Sequence, residues 1–168
     1  PVTKFSGYHG YWPTSLSIVD DRFGGNNALK KLVKNAHRSQ MNVLLDYVAH
    51  HVHQDHPMYK QHPDWVTNLY MPDGSLNTER WDECRLTTWF DVFLPTLDLS
   101  MPEIYKPMTD SALFWLNNYD LDGFRHDACK HIPEVFWREL TQKIRTTIPA
   151  DKMIYQIGET YGNRELIG

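Results

Sequence analysis

The chain has 168 residues, of which 41% are hydrophobic and 23% are charged, a composition typical of a soluble globular protein with a packed core. Its formal net charge of −4 argues against a dominant nucleic-acid role, which would call for a basic surface, and no apolar run approaches the ~20 residues that span a bilayer. Two cysteines, Cys84 and Cys129, do not make a disulfide framework. The chain begins with Pro1 instead of Met, so an upstream export signal and the compartment are left open.

The first third of the chain predicts an aromatic segment, a helix and a buried strand. Residues 8–13 predict a strand end or loop that presents rings at one rim. Asn26 is predicted to cap a helix that ends near Ser39. Apolar residues recur with helical spacing at Leu29, Leu32, Val33 and Ala36. The apolar run at 42–48 predicts a strand that is buried on both faces, as in a parallel sheet.

Periodicity disappears from residue 49 to about residue 98. A segment of roughly 50 residues is too long for a simple connection, so we expect an inserted subdomain. Ser100 and Glu103 then have capping-box spacing for a helix that ends near Asn118. Pro107 falls inside that helix, so its regular part is expected to begin only there.

The last third alternates between strand and helix patterns. Strands are predicted from residue 121 and at 153–157, and a helix is predicted from Pro133 to Ile148. The order is therefore strand, helix, strand, insertion, helix, strand, helix, strand, which predicts an α/β fold with a parallel sheet. We expect a first part at 1–48, an inserted subdomain at 49–100 and a final part at 101–168.

Ionisable side chains gather at the predicted strand ends. Arg125 and Asp127 are two residues apart in a strand and therefore point to the same face. A structural ion pair would explain these two residues alone. However, Asp46, Asp127 and Glu159 each lie at the carboxyl end of a predicted parallel strand. That edge is where ligands bind and catalytic residues gather in α/β folds.

Five motifs in this order resemble the α-amylase family of retaining glycoside hydrolases. They are GYW at 10–12, DYVAHH at 46–51, LPTLD at 94–98, GFRHDACKH at 123–131 and GET at 158–160. The resemblance covers nearly the whole chain. It implies a partial TIM (β/α)8 barrel, corresponding to strands two to five, with the inserted subdomain after the third strand. The implied substrate is an α-glucan such as starch or a maltooligosaccharide.

The resemblance also assigns catalytic roles. Asp127 would be the nucleophile that forms a covalent glycosyl-enzyme, and Glu159 would be the general acid and then the general base. Arg125 would orient Asp127 and keep it ionised, because a nearby cation favours the charged form. A retaining mechanism needs two carboxyl groups about 5–5.5 Å apart. Ends of adjacent parallel strands, about 4.8 Å apart, can supply that spacing.

Further residues would bind the sugar. The resemblance places Tyr11 and His51 at the cleaved subsite, and Lys130 and His131 on the leaving-group side; Trp12 would be a further substrate-binding residue. The two aromatic residues could instead belong to the core, and Lys130 could be a solvated loop residue. Asp46 and Asp98 are expected to be structural.

Two departures from the family are visible in the sequence. His50 and Thr96 stand where the family has an Asn and an Asp that help to hold calcium. Calcium prefers oxygen ligands, so we expect this site to be absent and predict no metal or other cofactor. The chain also lacks a counterpart of the family's third carboxylate, so we expect a fragment that needs the remainder of the parent barrel and has little activity alone.

Two other functions are compatible with parts of the sequence. HVHQDH at 51–56 has the H-x-H-x-D-H spelling of zinc hydrolases of the metallo-β-lactamase fold. That reading needs further ligands downstream and a different order of elements. A sugar-binding relative without catalysis is the second alternative, and such a chain should lack Asp127 or Glu159.

Overall fold

The computed structural model describes residues 7–160 and contains a three-stranded parallel sheet. The strands are β1 (Leu44–Tyr47), β2 (Gly123–His126) and β3 (Tyr155–Gly158), in the order β1-β2-β3. The helices are α1 (Gly25–Arg38), α2 (Pro57–Gln61), α3 (Pro102–Tyr119) and α4 (Glu134–Thr147). Short 3-10 turns lie at Asp21–Phe23, Pro63–Trp65 and Cys129–His131. No helix within 7–160 combines the length and apolar character needed to cross a membrane.

The register of the sheet aligns its three carboxyl ends. Asp46 pairs with Arg125, which in turn pairs with Ile157 of β3. Gly123 begins β2 where the neighbouring backbone is very close: a Cβ there would lie 1.9 Å from the carbonyl oxygen of Tyr155. Only glycine allows this approach, so the residue before the Phe124–His126 run fixes how closely β2 and β3 associate.

Most of the hydrophobic core lies between the helices and the sheet. α4 contributes residues at i, i+4 and i+8, namely Phe136, Leu140 and Ile144, all buried. On α3, Met108 and Trp115 are fully buried, and the Met108 carbonyl accepts a hydrogen bond of 2.7 Å from the Tyr47 hydroxyl. Burial of large apolar side chains on both helices positions β1 and β2, because each side chain contributes roughly 1.5–3 kcal/mol.

The structure corrects the predictions for the N-terminal part. Three strands lie in the described residues, where four were expected, and residues 7–10 form a turn closed by a 3.1 Å bond from Gly10 N to the Gly7 carbonyl. Any part of the expected first strand at 1–6 lies outside the described residues. Asn26 does not cap α1: Gly24 does, in a left-handed conformation, and Asn26 lies within the first turn. Leu32, predicted to be buried, is 55% exposed.

The predicted start of α3 is also wrong. Met101 is its N-cap residue, and no side chain supplies a capping hydrogen bond. Ser100 instead donates its hydroxyl to Asp98 at 2.5 Å. Pro102 begins the helix, a position where the missing N–H costs nothing, and α3 continues through Pro107 without interruption.

The outer strands are more exposed than the sequence predicted. β1 is buried at Tyr47 but exposed at Asp46, so it is not covered on both faces. All four residues of β3 are exposed, including Tyr155 and Ile157 at 41% and 54%. Apolar surface therefore lies open along the β3 side of the described sheet.

The segment between β1 and α3, which we call the inserted segment after the prediction, is irregular. Apart from α2 and a 3-10 turn, it is joined by isolated bridges such as His51 with Thr96 and Thr78 with Trp89. Side chains also satisfy its backbone: the indole N–H of Trp89 donates to the Thr67 carbonyl at 3.0 Å. The division of the chain at 49–100 stays a prediction.

Candidate active site

The carboxyl ends of the three strands bring one arginine and three carboxylates together. Asp46 is the third residue of β1, whereas Asp127 and Glu159 directly follow β2 and β3. The Nη1 atom of Arg125 donates to Asp46 Oδ1 and to Asp127 Oδ1, each at 2.8 Å. Its Nη2 atom lies 3.0 Å from Glu159 Oε1. We call these four residues and Tyr11 the strand-end cluster.

Tyr11 completes the strand-end cluster from the aromatic N-terminal loop. Its hydroxyl donates to Asp46 Oδ2 at 2.8 Å, and the Arg125 guanidinium lies 5.9 Å from the centre of its ring. Both carboxylate oxygens of Asp46 therefore have partners in the strand-end cluster, and its expected structural role stays a prediction. The Tyr11 ring also stacks on His9, with centroids 5.8 Å apart.

Burial and the contacts between opposite charges shift the pKa values of Asp127 and Arg125 in opposite directions. Burial raises the pKa of Asp127 to about 6, and the hydrogen bond and charge of Arg125 only partly offset it. The nearby carboxylates Glu159 and Asp46 add to the increase. Arg125 acts on the pKa of Asp127 in the direction that the resemblance implied, but Asp127 is 8% exposed and desolvation of its charged form is the larger effect. Burial lowers the pKa of Arg125, yet Asp46 and Asp127 raise it overall above its usual value.

The turn after Asp127 connects the two candidate catalytic acids. Ala128 adopts a left-handed conformation and donates its backbone N–H to Glu159 Oε2 at 3.2 Å. The backbone N–H of Cys129 donates to the Glu159 carbonyl at 3.0 Å. The position of this turn therefore sets the orientation of Glu159 relative to Asp127.

His51 is buried beside the strand-end cluster. Its Nε2–H donates to the Tyr11 carbonyl at 2.9 Å, so its Nδ1 is left to accept from His50 Nδ1–H at 3.2 Å. Burial lowers the pKa of His51 to about 4, and it also lowers the pKa of His50 well below its usual value. Both rings are therefore neutral at pH 7. In this arrangement His51 holds the loop that carries Tyr11.

Lys130 and His131 contact the inserted segment. Lys130 Nζ lies 3.0 Å from Asp82 Oδ1, and its side chain is 5% exposed. His131 Nδ1–H donates to the Arg85 carbonyl at 2.7 Å. The alternative of a solvated Lys130 is wrong. Sequence reasoning missed Asp82 and Arg85, because they lie in an aperiodic segment where no pattern indicates a long-range contact.

The other predicted residues are less central. Trp12 is half-buried and packs edge-on against Phe93 of the inserted segment, with ring centroids 5.0 Å apart. Asp98 lies apart from the strand-end cluster and accepts hydrogen bonds from Ser100. Its expected structural role is compatible with these contacts.

The two positions where the family has calcium ligands, His50 and Thr96, carry side chains that do not suit this ion. The Thr96 hydroxyl donates to the Thr88 carbonyl at 2.9 Å, and His50 offers only imidazole nitrogens. Among the described residues, no group of three or more His, Cys, Asp or Glu side chains is placed to hold a metal ion. The loss of the calcium site stays a prediction.

The histidines of the 51–56 run face separate partners. His53 Nδ1 accepts from Asp55 N at 3.0 Å, and His56 Nδ1 accepts from Met58 N at 3.0 Å as the N-cap of α2. His51 is committed to Tyr11. These side chains do not converge on one point, so the geometry gives the zinc-hydrolase alternative no support.

Comparison with known sequences gives a consistent family. Residues 1–165 match the family described as alpha amylase, catalytic domain. The intracellular maltogenic amylase of Bacillus subtilis (strain 168) is 26% identical over 174 residues, which cover 98% of this chain and 28% of that protein. A cyclomaltodextrinase of Geobacillus thermopakistaniensis (strain MAS1) is 27% identical over 170 residues, covering 96% of this chain and 28% of that protein. The chain therefore spans less than a third of the length of these relatives.

Solved structures give the same answer for the fold. An α-amylase from Geobacillus thermoleovorans, complexed with acarbose, superposes with a TM-score of 0.80 at 32% identity, over 95% of this chain and 35% of that one. An Anoxybacillus α-amylase gives a TM-score of 0.80 at 29% identity, over 96% of this chain and 34% of that one. The expected partial barrel is confirmed, and the chain belongs to the α-amylase catalytic-domain family.

Proposed function

We propose that the protein is a retaining glycoside hydrolase that acts on α-glucans. The observation that carries this proposal is the single guanidinium of Arg125, which contacts Asp46, Asp127 and Glu159 at three adjacent strand ends. Such a cluster is expected where substrates bind in barrel enzymes. The names of the relatives, a maltogenic amylase and a cyclomaltodextrinase, support an α-glucan of the maltooligosaccharide, cyclodextrin or starch class.

In the proposed mechanism, the carboxylate of Asp127 attacks the anomeric carbon. The bond to the leaving oxygen breaks as Glu159 gives that oxygen its proton. A water then enters, Glu159 removes its proton, and the resulting attack on the anomeric carbon breaks the ester to Asp127. The sugar leaves with retained configuration, Asp127 is again a carboxylate, and Glu159 is again protonated.

The assignment of the two acids rests on position and family. As the general acid, Glu159 gives a proton to the leaving oxygen, whereas in the free protein its Oε1 lies 3.0 Å from Arg125 Nη2. We therefore infer that substrate binding disrupts this contact. Burial raises the pKa of Asp127 to about 6, which still leaves it mostly ionised at pH 7. Its place directly after β2, next to Arg125, supports the role of nucleophile.

Paired variants of the complete polypeptide that contains these residues test the roles. Asp127→Asn should lower kcat on maltooligosaccharides by roughly 10⁴-fold or more, as for other catalytic nucleophiles. Glu159→Gln should lower it by about 10²–10⁴-fold. Maltosyl fluoride separates them, because fluoride leaves without a proton. The Glu159 variant should keep its first step on this substrate and accumulate a covalent adduct visible by mass spectrometry, whereas the Asp127 variant should not.

Two outcomes would contradict the proposal. An adduct that forms in the Asp127→Asn variant would exclude Asp127 as the nucleophile. Binding of oligosaccharide by the wild-type protein without any hydrolysis would instead support the sugar-binding relative.

A further inference from the structure

One short segment of the inserted part lies against the turn that follows Asp127. Arg85 Nη1 donates to the Lys130 carbonyl at 2.5 Å, while the Arg85 carbonyl accepts from His131 Nδ1–H at 2.7 Å. Asp82 forms an ion pair with Lys130 Nζ at 3.0 Å, and the Trp81 ring meets the His131 ring edge-on at 5.8 Å. The contact thus uses the backbone and side chains of both segments, and Arg85 makes two of its hydrogen bonds.

Aromatic rings fill the space beside this contact. Phe90 lies at the centre, with ring-centroid distances of 4.4 Å to His50, 5.1 Å to His51, 5.1 Å to His131 and 4.8 Å to Trp81. The name histidine joint is used here for these five aromatic residues and Arg85, namely His50, His51, Trp81, Arg85, Phe90 and His131. The three histidines are almost completely buried. The joint therefore connects the inserted segment to the ends of β1 and β2 through neutral rings.

The histidine joint leaves a divalent cation without suitable ligands. Calcium requires several oxygen ligands, often backbone carbonyls and carboxylates. The Lys130 carbonyl is already the acceptor of Arg85, and the Thr96 hydroxyl is used as a donor to Thr88. The guanidinium itself brings a positive charge that repels a second cation at this place.

We propose that Arg85 is a positioning residue that takes the place of a divalent cation in fixing the Asp127 turn to the inserted segment. Its guanidinium holds the Lys130 carbonyl, and the same turn supplies the N–H groups of Ala128 and Cys129 that contact Glu159. Arg85 therefore fixes both proposed catalytic acids through one backbone segment, and the active site stays assembled without calcium. The activity part of this inference rests on the proposed function.

The test compares Arg85→Met with Arg80→Met in the complete polypeptide. Arg80 is the matched control, because its guanidinium contacts Ser75, Leu76 and Glu83 within the inserted segment. Misplacement of catalytic groups by about 1 Å can cost ~10²-fold in rate. We expect Arg85→Met to lower kcat by about 10–100-fold with KM nearly unchanged, and Arg85→Lys to recover part of the loss. Arg80→Met should stay within about threefold of wild type.

Amide hydrogen exchange gives a readout that does not depend on activity. Arg85→Met should speed exchange at 128–132 by about tenfold or more, while α4 stays protected. Arg80→Met should leave 128–132 unchanged. Loss of protection throughout β2 and α4, or equal exchange at 128–132 in the two variants, would overturn the positioning role.

The cation part is tested on the wild-type protein. Addition of EDTA, followed by excess calcium, should change neither the melting temperature nor kcat. A fall with EDTA that calcium reverses would overturn the inference. If the wild-type protein hydrolyses no α-glucan, the proposed function fails, whereas the exchange and melting measurements still decide the role of Arg85.

Discussion

The strand-end cluster and the histidine joint lie at the same end of the sheet, yet they handle charge in opposite ways. In the cluster, Arg125, Asp46 and Glu159 keep 29%, 46% and 37% of their side-chain surface exposed, and their charges are paired. In the joint, His50, His51 and His131 are 1–3% exposed, and burial lowers the pKa of each. Partial exposure with opposite charges allows ions to persist, whereas a dry contact favours neutral rings. In the proposed mechanism, the strand-end cluster therefore carries the chemistry and the histidine joint supports it.

Removal of Arg125 should have the largest effect on this contrast. Arg125→Met leaves three carboxylates without their shared cation. Of these only Asp127 is buried, and loss of one partner of a buried charge pair costs about 2–5 kcal/mol. We expect kcat/KM to fall by at least ~30-fold, since each 1.4 kcal/mol is about tenfold. In the wild-type protein Arg125 lowers the pKa of Asp127. Its removal should therefore raise that pKa and move the acid limb of the pH–rate profile to higher pH.

Matched variants make this result specific. Arg125→Lys keeps the charge but loses the fork that reaches several carboxylates, so it should recover only part of the activity. Arg138→Met removes an exposed pair with Glu134 on α4 and should change little. If Arg125→Met shifts neither kcat/KM nor the acid limb beyond Arg138→Met, the cluster is not the reacting site.

The pH dependence of stability should distinguish the two regions by sign. Burial lowers the pKa of His51, in the histidine joint, to about 4 from 6.5. The unfolded chain therefore binds protons first, and the stability present above pH 6.5 is lost as the pH falls towards 4. For Asp127 the pKa is raised to about 6 from 3.8, so its contribution is present below pH 3.8 and is lost as the pH rises through 6.

Urea denaturation at pH 7, 6, 5 and 4 measures these opposite contributions. Between pH 6 and 4, the free energy of unfolding of Asp127→Asn should fall more steeply than that of wild type, by up to ~1.4 kcal/mol per pH unit. His51→Gln should fall less steeply, because one buried histidine is gone. If the unfolding free energy has the same pH dependence in all three proteins, neither Asp127 nor His51 titrates as its burial requires.

Periodic segments of the chain were predictable, and so was much of the strand-end cluster. The spacing of Arg125 and Asp127 places them on one face of β2, and the common direction of parallel strands brings Glu159 to the same edge. The helix at Glu134–Thr147 follows from its apolar period. These features depend on local repeat geometry, which the sequence displays directly.

The histidine joint could not be predicted, because long-range contacts of irregular backbone form it. Arg85 and Lys130 are 45 residues apart, and neither lies in a repeating pattern that relates them. Local signals failed for a similar reason at Ser100, whose hydroxyl had two possible partners. The hydroxyl donates to Asp98, two residues earlier, and makes no capping hydrogen bond at the start of α3.

Tyr11 offers the finest test, because its side chain belongs to the strand-end cluster and its backbone contacts the histidine joint. Its hydroxyl donates to Asp46 in the strand-end cluster, whereas its backbone carbonyl accepts from His51 of the histidine joint. Tyr11→Phe removes only the hydroxyl, and one such hydrogen bond contributes about 0.5–1.5 kcal/mol. We expect kcat/KM to fall by about 2–10-fold, while the slope of unfolding free energy against pH stays that of wild type.

Tyr11→Ala also removes the ring under Arg125 and should lose more activity. Equal losses in the two variants would mean that the ring makes no contribution, and an altered pH slope in Tyr11→Phe would show that the two regions are coupled through this side chain.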